Sequence, residues 1–112
     1  MIVEPDPTAA AKLYIDMFGP EAVRDIRNGK SVVIGNSRFD IVTEPELKAQ
    51  VGDAAPDPEG RKAYMAGLTF RTTSLAKAAT ALKAGKIAFA EKDGHIVVPA
   101  REAMNAVLEL IE

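Results

Sequence analysis

Phe39-Asp40-Ile41-Val42 returns near the end of the chain as Leu108-Glu109-Leu110-Ile111, apolar for apolar and acid for acid, at an offset of 69 positions. Working outward, the helix-starting residues Asp6 and Ser74 lie 68 positions apart. Val32-Val33 matches Val97-Val98 at an offset of 65, with the slack falling in turns. Anchors that agree so closely across half a chain are the mark of a duplicated structural unit.

Each copy reads as strand, helix and three strands. In the first, Met1–Glu4 is a short apolar start closed by Pro5. Asp6-Pro7 then supplies an N-cap and a proline at the first helical position, where a missing N–H costs nothing. Ala10, Leu13, Tyr14, Met17 and Phe18 recur at helical spacing over Thr8–Phe18, and Gly19-Pro20 stops the run. Strands are predicted over Ala22–Ile26 and Ser31–Ile34 around the hairpin dipeptide Asn28-Gly29, then over Arg38–Thr43 after Gly35-Asn36-Ser37. In the second copy a strand spans Tyr64–Thr72, and Ser74 caps a helix over Leu75–Ala84 that ends at Gly85. Strands follow at Ile87–Ala90 and Ile96–Val98 around Lys92-Asp93-Gly94, and Pro99–Asn105 crosses to a last strand at Ala106–Ile111.

Between the copies, Glu44–Lys62 is polar, holds three prolines and two glycines, and has helical spacing only over Leu47–Val51. It reads as a long connector, either a pocket lid or a plain surface loop. The expected organisation is one α+β domain: module one at 1–43, connector at 44–62 and module two at 63–112. The two βαβββ modules would form a curved mixed sheet around a cleft, with both helices on the outer face.

At 112 residues the chain has room for one core. Hydrophobic residues make up 47% and charged residues 27%, a globular rather than disordered balance. A formal charge of −2 provides no basic field for phosphates, so nucleic acid is not an expected partner. No apolar run is long enough for a bilayer, so no membrane partner is expected either. The chain has no cysteine, which removes disulfide and thiolate chemistry and fits a reducing cytoplasm.

DPTAAAKLYIDMFGPEAV (6–23), VVIGNSRFDIVT (32–43), AAPDPEGRKAYMAGLTFRTTSL (54–75) and HIVVPAREAMNAVLELIE (95–112) together resemble the glyoxalase/bleomycin-resistance/extradiol-dioxygenase, or vicinal oxygen chelate, superfamily. They are similar in particular to the C-terminal domains of longer bacterial glyoxalase-like proteins. The superfamily includes lyases, dioxygenases, epimerases and inert drug-binding proteins, so the resemblance speaks for fold more than for reaction. In its metal-using members, ligands come from the first and last strands of each half. Carried over, the last-strand positions are Asp40 and Glu109, the first-strand position of the second half is Gly67, and that of the first half falls before Met1. Glycine has no donor atom, so the resemblance implies no intact metal site and no cofactor.

Strand alternation sets Arg38 on the face of Asp40, and Thr69 and Arg71 on the face of Gly67. Arg38, Asp40, Thr69, Arg71 and Glu109 form the candidate pocket: two arginines and a hydroxyl against two acids, suited to a small polar or anionic ligand. Phe39, Ile41, Leu68, Phe70, Leu108 and Leu110 are expected to face the helices as core, with Tyr14 packing between helix and sheet. His95, the single histidine, reads as a solvated hairpin residue, the alternative being a ligand or general base. Met65 and Met104 suit either an adaptable pocket lining or gap filling. The functional expectation is a glyoxalase-like small-molecule-binding domain. The alternative is a lyase-type enzyme completed by a partner chain or a longer N-terminal segment. Because the first strand is so short, an unpaired sheet edge and a homodimer are expected with it.

Overall fold

A computed structural model describes all 112 residues, Met1–Glu112. The first helix begins where Asp6 accepts the Ala9 N–H at 3.1 Å, with Pro7 at its first position. This helix, α1 (Pro7–Phe18), follows the two-residue strand β1 (Ile2–Val3). Three strands come after it: β2 (Val23–Ile26), β3 (Gly29–Ile34) and β4 (Ser37–Val42). Next are the helix α2 (Glu44–Val51) and the short strand β5 (Tyr64–Met65). The second copy is β6 (Gly67–Arg71), α3 (Leu75–Ala84), β7 (Ala90–Lys92), β8 (His95–Val98) and β9 (Val107–Ile111). Ser74 caps α3 by accepting the Lys77 N–H at 3.1 Å.

The chain divides into two compact units. One is Met1–Gly52 with Pro58–Met65, and the other is Asp53–Asp57 with Ala66–Glu112. Each carries one mixed sheet, in the orders β2-β3-β4-β1-β5 and β6-β9-β8-β7. The common plan is plain: the last strand of each module lies between the module's first strand, parallel to it, and its third strand, antiparallel. The registers repeat as well. Ile2↔Ile41 and Val3↔Val42 become Phe70↔Leu110 and Arg71↔Ile111 on adding the offsets of 68 and 69 seen in the sequence. Only the β3–β8 alignment needs correction. Val32 pairs with Phe39 and Val98 with Leu108, so Val32 corresponds to Val98, one position beyond the offset of 65. A one-residue slip would send the side chain to the other face. The corrected match puts two buried valines, 0% and 2% exposed, in equivalent places.

Each sheet packs one face against its own helix. In the first unit Ala11 of α1 meets Val32 and Ile41, with Tyr14 and Phe39 alongside in an edge-to-face contact at 4.8 Å. In the second, Ala79 of α3 meets Ile96 and Val98, flanked by Leu108 and Leu110. Burying side chains the size of Val32, Ile41 and Ile96 contributes roughly 1.5–3 kcal/mol each. Leu68 and Phe70, expected in this core, remain 45% and 52% exposed. They share a face with Leu108 and Leu110 but sit on β6, the outer strand of the sheet and outside the core cluster built on α3.

The expected strand over Tyr64–Thr72 is two strands in two sheets. Tyr64-Met65 pairs antiparallel with β1, and from Gly67 the chain pairs with β9. Between them Ala66 is fully buried and its carbonyl accepts the Val107 N–H at 2.8 Å. In consequence β1 is no open edge, because β4 lies on one side of it and β5 on the other. The connector is also more regular than expected. Thr43 accepts the Glu46 N–H at 3.4 Å to start α2, with Pro45 in its first turn, and Leu47 is buried. Asn105 holds the following segment by accepting the Asp57 N–H at 2.8 Å and donating to the Asp57 carbonyl at 2.9 Å.

The strand expected at Ile87–Ala90 begins only at Ala90, because Ile87 belongs to the end of α3. Its N–H reaches back to Leu82 O at 3.0 Å, while Lys86 N–H bonds Lys83 O at 3.1 Å. That is a Schellman closure, in which the residue at Lys86 adopts a left-handed conformation, here with φ of 56°. A non-glycine residue in that region carries a steric cost, and Lys86 is exposed with nothing to offset it. Lys86→Gly is expected to raise stability by about 1 kcal/mol in denaturant unfolding; an unchanged or lower midpoint would contradict this closure.

Candidate functional site

On β4 the backbone alternates, so Arg38 and Asp40 project from the face opposite Phe39 and Ile41, which pack with α1. Arg38 grips Asp40 with two hydrogen bonds, Nε to Oδ1 at 3.1 Å and Nη2 to Oδ2 at 2.9 Å. The Asp40 side chain is 18% exposed and that of Arg38 is 64% exposed, so the acid is sheltered while the guanidinium reaches solvent. Directly across the ladder from Asp40 stands Ser31, buried, with a hydroxyl that has no hydrogen-bond partner.

In the second unit the parallel register sets Thr69 beside Glu109. The Thr69 hydroxyl donates to Glu109 Oε1 at 3.5 Å, and His95 Nδ1 lies 3.6 Å from Oε2. His95 reaches the same acid because Val97, its same-face neighbour on β8, pairs with Glu109. The hairpin histidine, with its side chain 44% exposed, thus stands beside the acid of the second module while still meeting solvent. Its loop, Asp93-Gly94, has φ of 52° and 77°, the two positive values that a tight two-residue hairpin requires. Arg71 departs from expectation. It pairs in register with Ile111, one residue short of the chain end, and its Nη1 donates to the Glu112 carbonyl at 2.8 Å instead of to Glu109.

Gly67 also takes on a different meaning. Its register partner is Val107, two rungs from Glu109, and a Cβ there would come within 2.8 Å of the Val107 carbonyl oxygen. Glycine is required by this close approach of two backbones. The side chain that actually adjoins the acid is a hydroxyl, Thr69. No group of three or more His, Cys, Asp or Glu residues comes together in the chain. Asp40 already has both oxygens engaged by Arg38, and Glu109 has one imidazole and one hydroxyl near it. These donors do not fit a transition-metal centre, which needs three or four such ligands.

An open pocket of about 390 Å³ lies elsewhere in the second unit, between the first turn of α3 (Leu75, Ala76) and the hairpin residues Glu91, Lys92, His95 and Ile96. Of the site residues only His95 borders it. Met104 is almost wholly exposed and does not border this pocket, and Met65 is likewise exposed.

Two βαβββ modules with this strand order and crossover fit a glyoxalase-like fold. Among solved structures the chain is similar to methylmalonyl-CoA epimerase from Mycobacterium tuberculosis, with a TM-score of 0.64 over 99% of this chain and 83% of that one, at 14% identity. At that identity the likeness is one of fold. No family model and no curated protein sequence matches the chain. No helix is long and apolar enough to cross a membrane.

A carboxylate more buried than either acid of the candidate site lies on α2, and sequence reasoning missed it. Glu46, 7% exposed, accepts Asn28 Nδ2 at 2.9 Å and Gln50 Nε2 at 3.1 Å, with Arg27 at 4.0 Å. The bonds from Asn28 and Gln50 hold its pKa below the usual carboxylate value, outweighing its burial. The signal was present in Thr43-Glu44-Pro45-Glu46, a capping pattern with proline in the first turn. Tyr64 is shifted the other way: burial, then the Glu44 charge, push its phenol up, while Arg61 stacked at 5.3 Å opposes them. A carboxylate whose pKa is depressed by folding contributes stability above its unfolded pKa of about 4.3 and loses it as pH falls through the folded value. Glu46→Gln is therefore expected to melt lower than the parent at pH 7, with the difference closing in acid as pH falls through the lowered folded value. A gap that persists undiminished in acid would contradict the charged-acceptor role.

Proposed function

We propose that this chain is a glyoxalase-like domain that binds a small polar or anionic molecule on the sheet faces turned away from α1 and α3, without a resident transition metal. The observation that carries the reading is the treatment of the two equivalent acids. Each module sets one carboxylate on its last strand and supplies its partners from within the same module: Arg38 for Asp40, and His95 with Thr69 for Glu109. With the acids so matched, the exposed cationic groups are the features left to meet a ligand. A planar guanidinium such as that of Arg38 suits a carboxylate or phosphate group better than a point charge does. Exposed pairs of this kind add at most about 1 kcal/mol to stability, so a role in recognition accounts for them better than a role in folding. The cysteine-free sequence fits a reducing, cytoplasmic setting.

A homodimer belongs to the same reading, with β6 as the pairing strand. It is the outer strand of its sheet and exposes Leu68 and Phe70. Two copies of β6 run antiparallel about Thr69 would set each leucine against the other copy's phenylalanine, a self-complementary contact. Light scattering at high concentration is expected to give twice the chain mass, reverting to the single-chain mass in Phe70→Lys. A single-chain mass for the parent removes the dimer.

The ligand reading is tested by thermal shift against a panel of small carboxylates and phosphate esters, using the parent, Arg38→Ala and Arg71→Ala. The expected result is a melting temperature raised by at least one compound in the parent, with the rise lost in Arg38→Ala while that variant's unliganded melting changes little. Arg71→Ala should also lower unliganded melting, because it releases the Glu112 carbonyl. If both variants melt lower and no compound shifts the parent, the arginines are structural and the reading fails.

A further inference from the structure

The first hairpin turns through an Asn-Gly pair whose side-chain amide is tied to α2. Arg27 and Asn28 form the two-residue loop between β2 and β3, since Ile26 pairs with Gly29. Asn28 adopts φ of 53°, a left-handed conformation that asparagine tolerates better than most residues. Gly29 follows it into β3, where a Cβ would stand 2.3 Å from the Ile41 carbonyl oxygen. No other residue fits at 29 without moving backbone. The fold thus calls for Asn followed by Gly, the pair in which a side-chain amide is least shielded from the next backbone nitrogen.

The Asn28 amide is not loose, however. Its Nδ2 donates to Glu46 Oε2 at 2.9 Å, and that carboxylate is fixed from the other side by Gln50. This bond ties the hairpin to α2 and restrains the amide carbon from swinging toward Gly29 N. Asn28 itself is solvent-exposed, so water reaches the group when the bond opens.

We propose that Asn28 is a deamidation site gated by Glu46, and that its conversion releases α2 from the hairpin. When the bond to Glu46 opens, the Gly29 nitrogen gives up its proton to solvent base and attacks Asn28 Cγ, forming a C–N bond. The tetrahedral centre collapses with loss of the side-chain nitrogen as ammonia, leaving a five-membered succinimide. Water then adds to one of its two carbonyls, and the ring opens to aspartate or isoaspartate at position 28. The sequence needs only water and involves no oxidation. Its product sets a carboxylate against the Glu46 carboxylate, so a hydrogen bond becomes a repulsion between like charges. The device is directional, because nothing in the reaction restores the amide.

The test is peptide mapping of the intact protein held at physiological temperature and mildly alkaline pH, with Asn36 and Asn105 as internal references. Conversion at Asn28 is expected to be severalfold slower in the folded parent than in the urea-unfolded chain. It should be severalfold faster in Glu46→Ala than in the folded parent, with the Asn36 rate unchanged. The product arm compares Asn28→Asp with Asn28→Gly. Glycine keeps the turn and lacks the amide, so it reports loss of the bond alone, and Asn28→Asp should melt lower still. Two results overturn the proposal: equal Asn28 rates in the folded parent and Glu46→Ala, or an Asn28→Asp protein that melts no lower than Asn28→Gly.

Discussion

The parallel pairing of the first and last strand within each module is the constraint on which the rest of this structure depends. To lay β4 beside β1, and β9 beside β6, the chain must leave a strand, cross by a helix and return through two antiparallel strands. Parallel neighbours cannot be joined by a tight turn, so the helix is a requirement of the pairing. Once the register is set, the alternation of side chains assigns every residue of the last strand. Phe39, Ile41, Leu108 and Leu110 go to the helix side, and Asp40 and Glu109 to the other. Duplication then presents the same arrangement twice, with different partners around each acid.

What holds the parallel pair so close is visible at Gly67. Its backbone approaches Val107 within a distance that no side chain would permit, and Ala66, just before it, is sealed off from solvent. The same short stretch ends one sheet and begins the other. The turn from β5 to β6 is therefore made through two small residues, Ala66 and Gly67. In the first unit a similar close approach occurs across an antiparallel pair, between Gly29 of β3 and the carbonyl of Ile41 on β4.

Much of this was legible in the sequence, for physical reasons. Asp6, Ser74 and Asp93-Gly94 act through bonds or dihedral angles within a few residues, so caps and turns could be read locally. The repeated acid and its apolar neighbours showed the duplication and the two faces of the last strands. Three things could not be read. The break at Ala66 depends on which distant strand each half of Tyr64–Arg71 pairs with. The coverage of Leu68 and Phe70 depends on how far α3 reaches across its sheet. The company of Glu109 is fixed by register: Thr69 and His95 reach it from strands 40 and 14 residues away in sequence (109 − 69 and 109 − 95), while Arg71 slides past to the chain end. Glu46 was overlooked because a helix start was read as a loop, although its capping pattern was local and complete.

The central claim is that register, which places Thr69 rather than its strand neighbours against Glu109. The chain contains no cysteine, so a pair introduced by substitution reports on one distance without background. Thr69→Cys with Glu109→Cys should close a disulfide under mild oxidation, because directly opposed residues of adjacent strands lie within the roughly 4.4–6.8 Å between Cα atoms that the bond tolerates. Arg71→Cys with Glu109→Cys, two rungs out of step, should remain reduced under the same conditions. Cross-linking of the second pair in preference to the first would contradict the register, and with it the placement of the site.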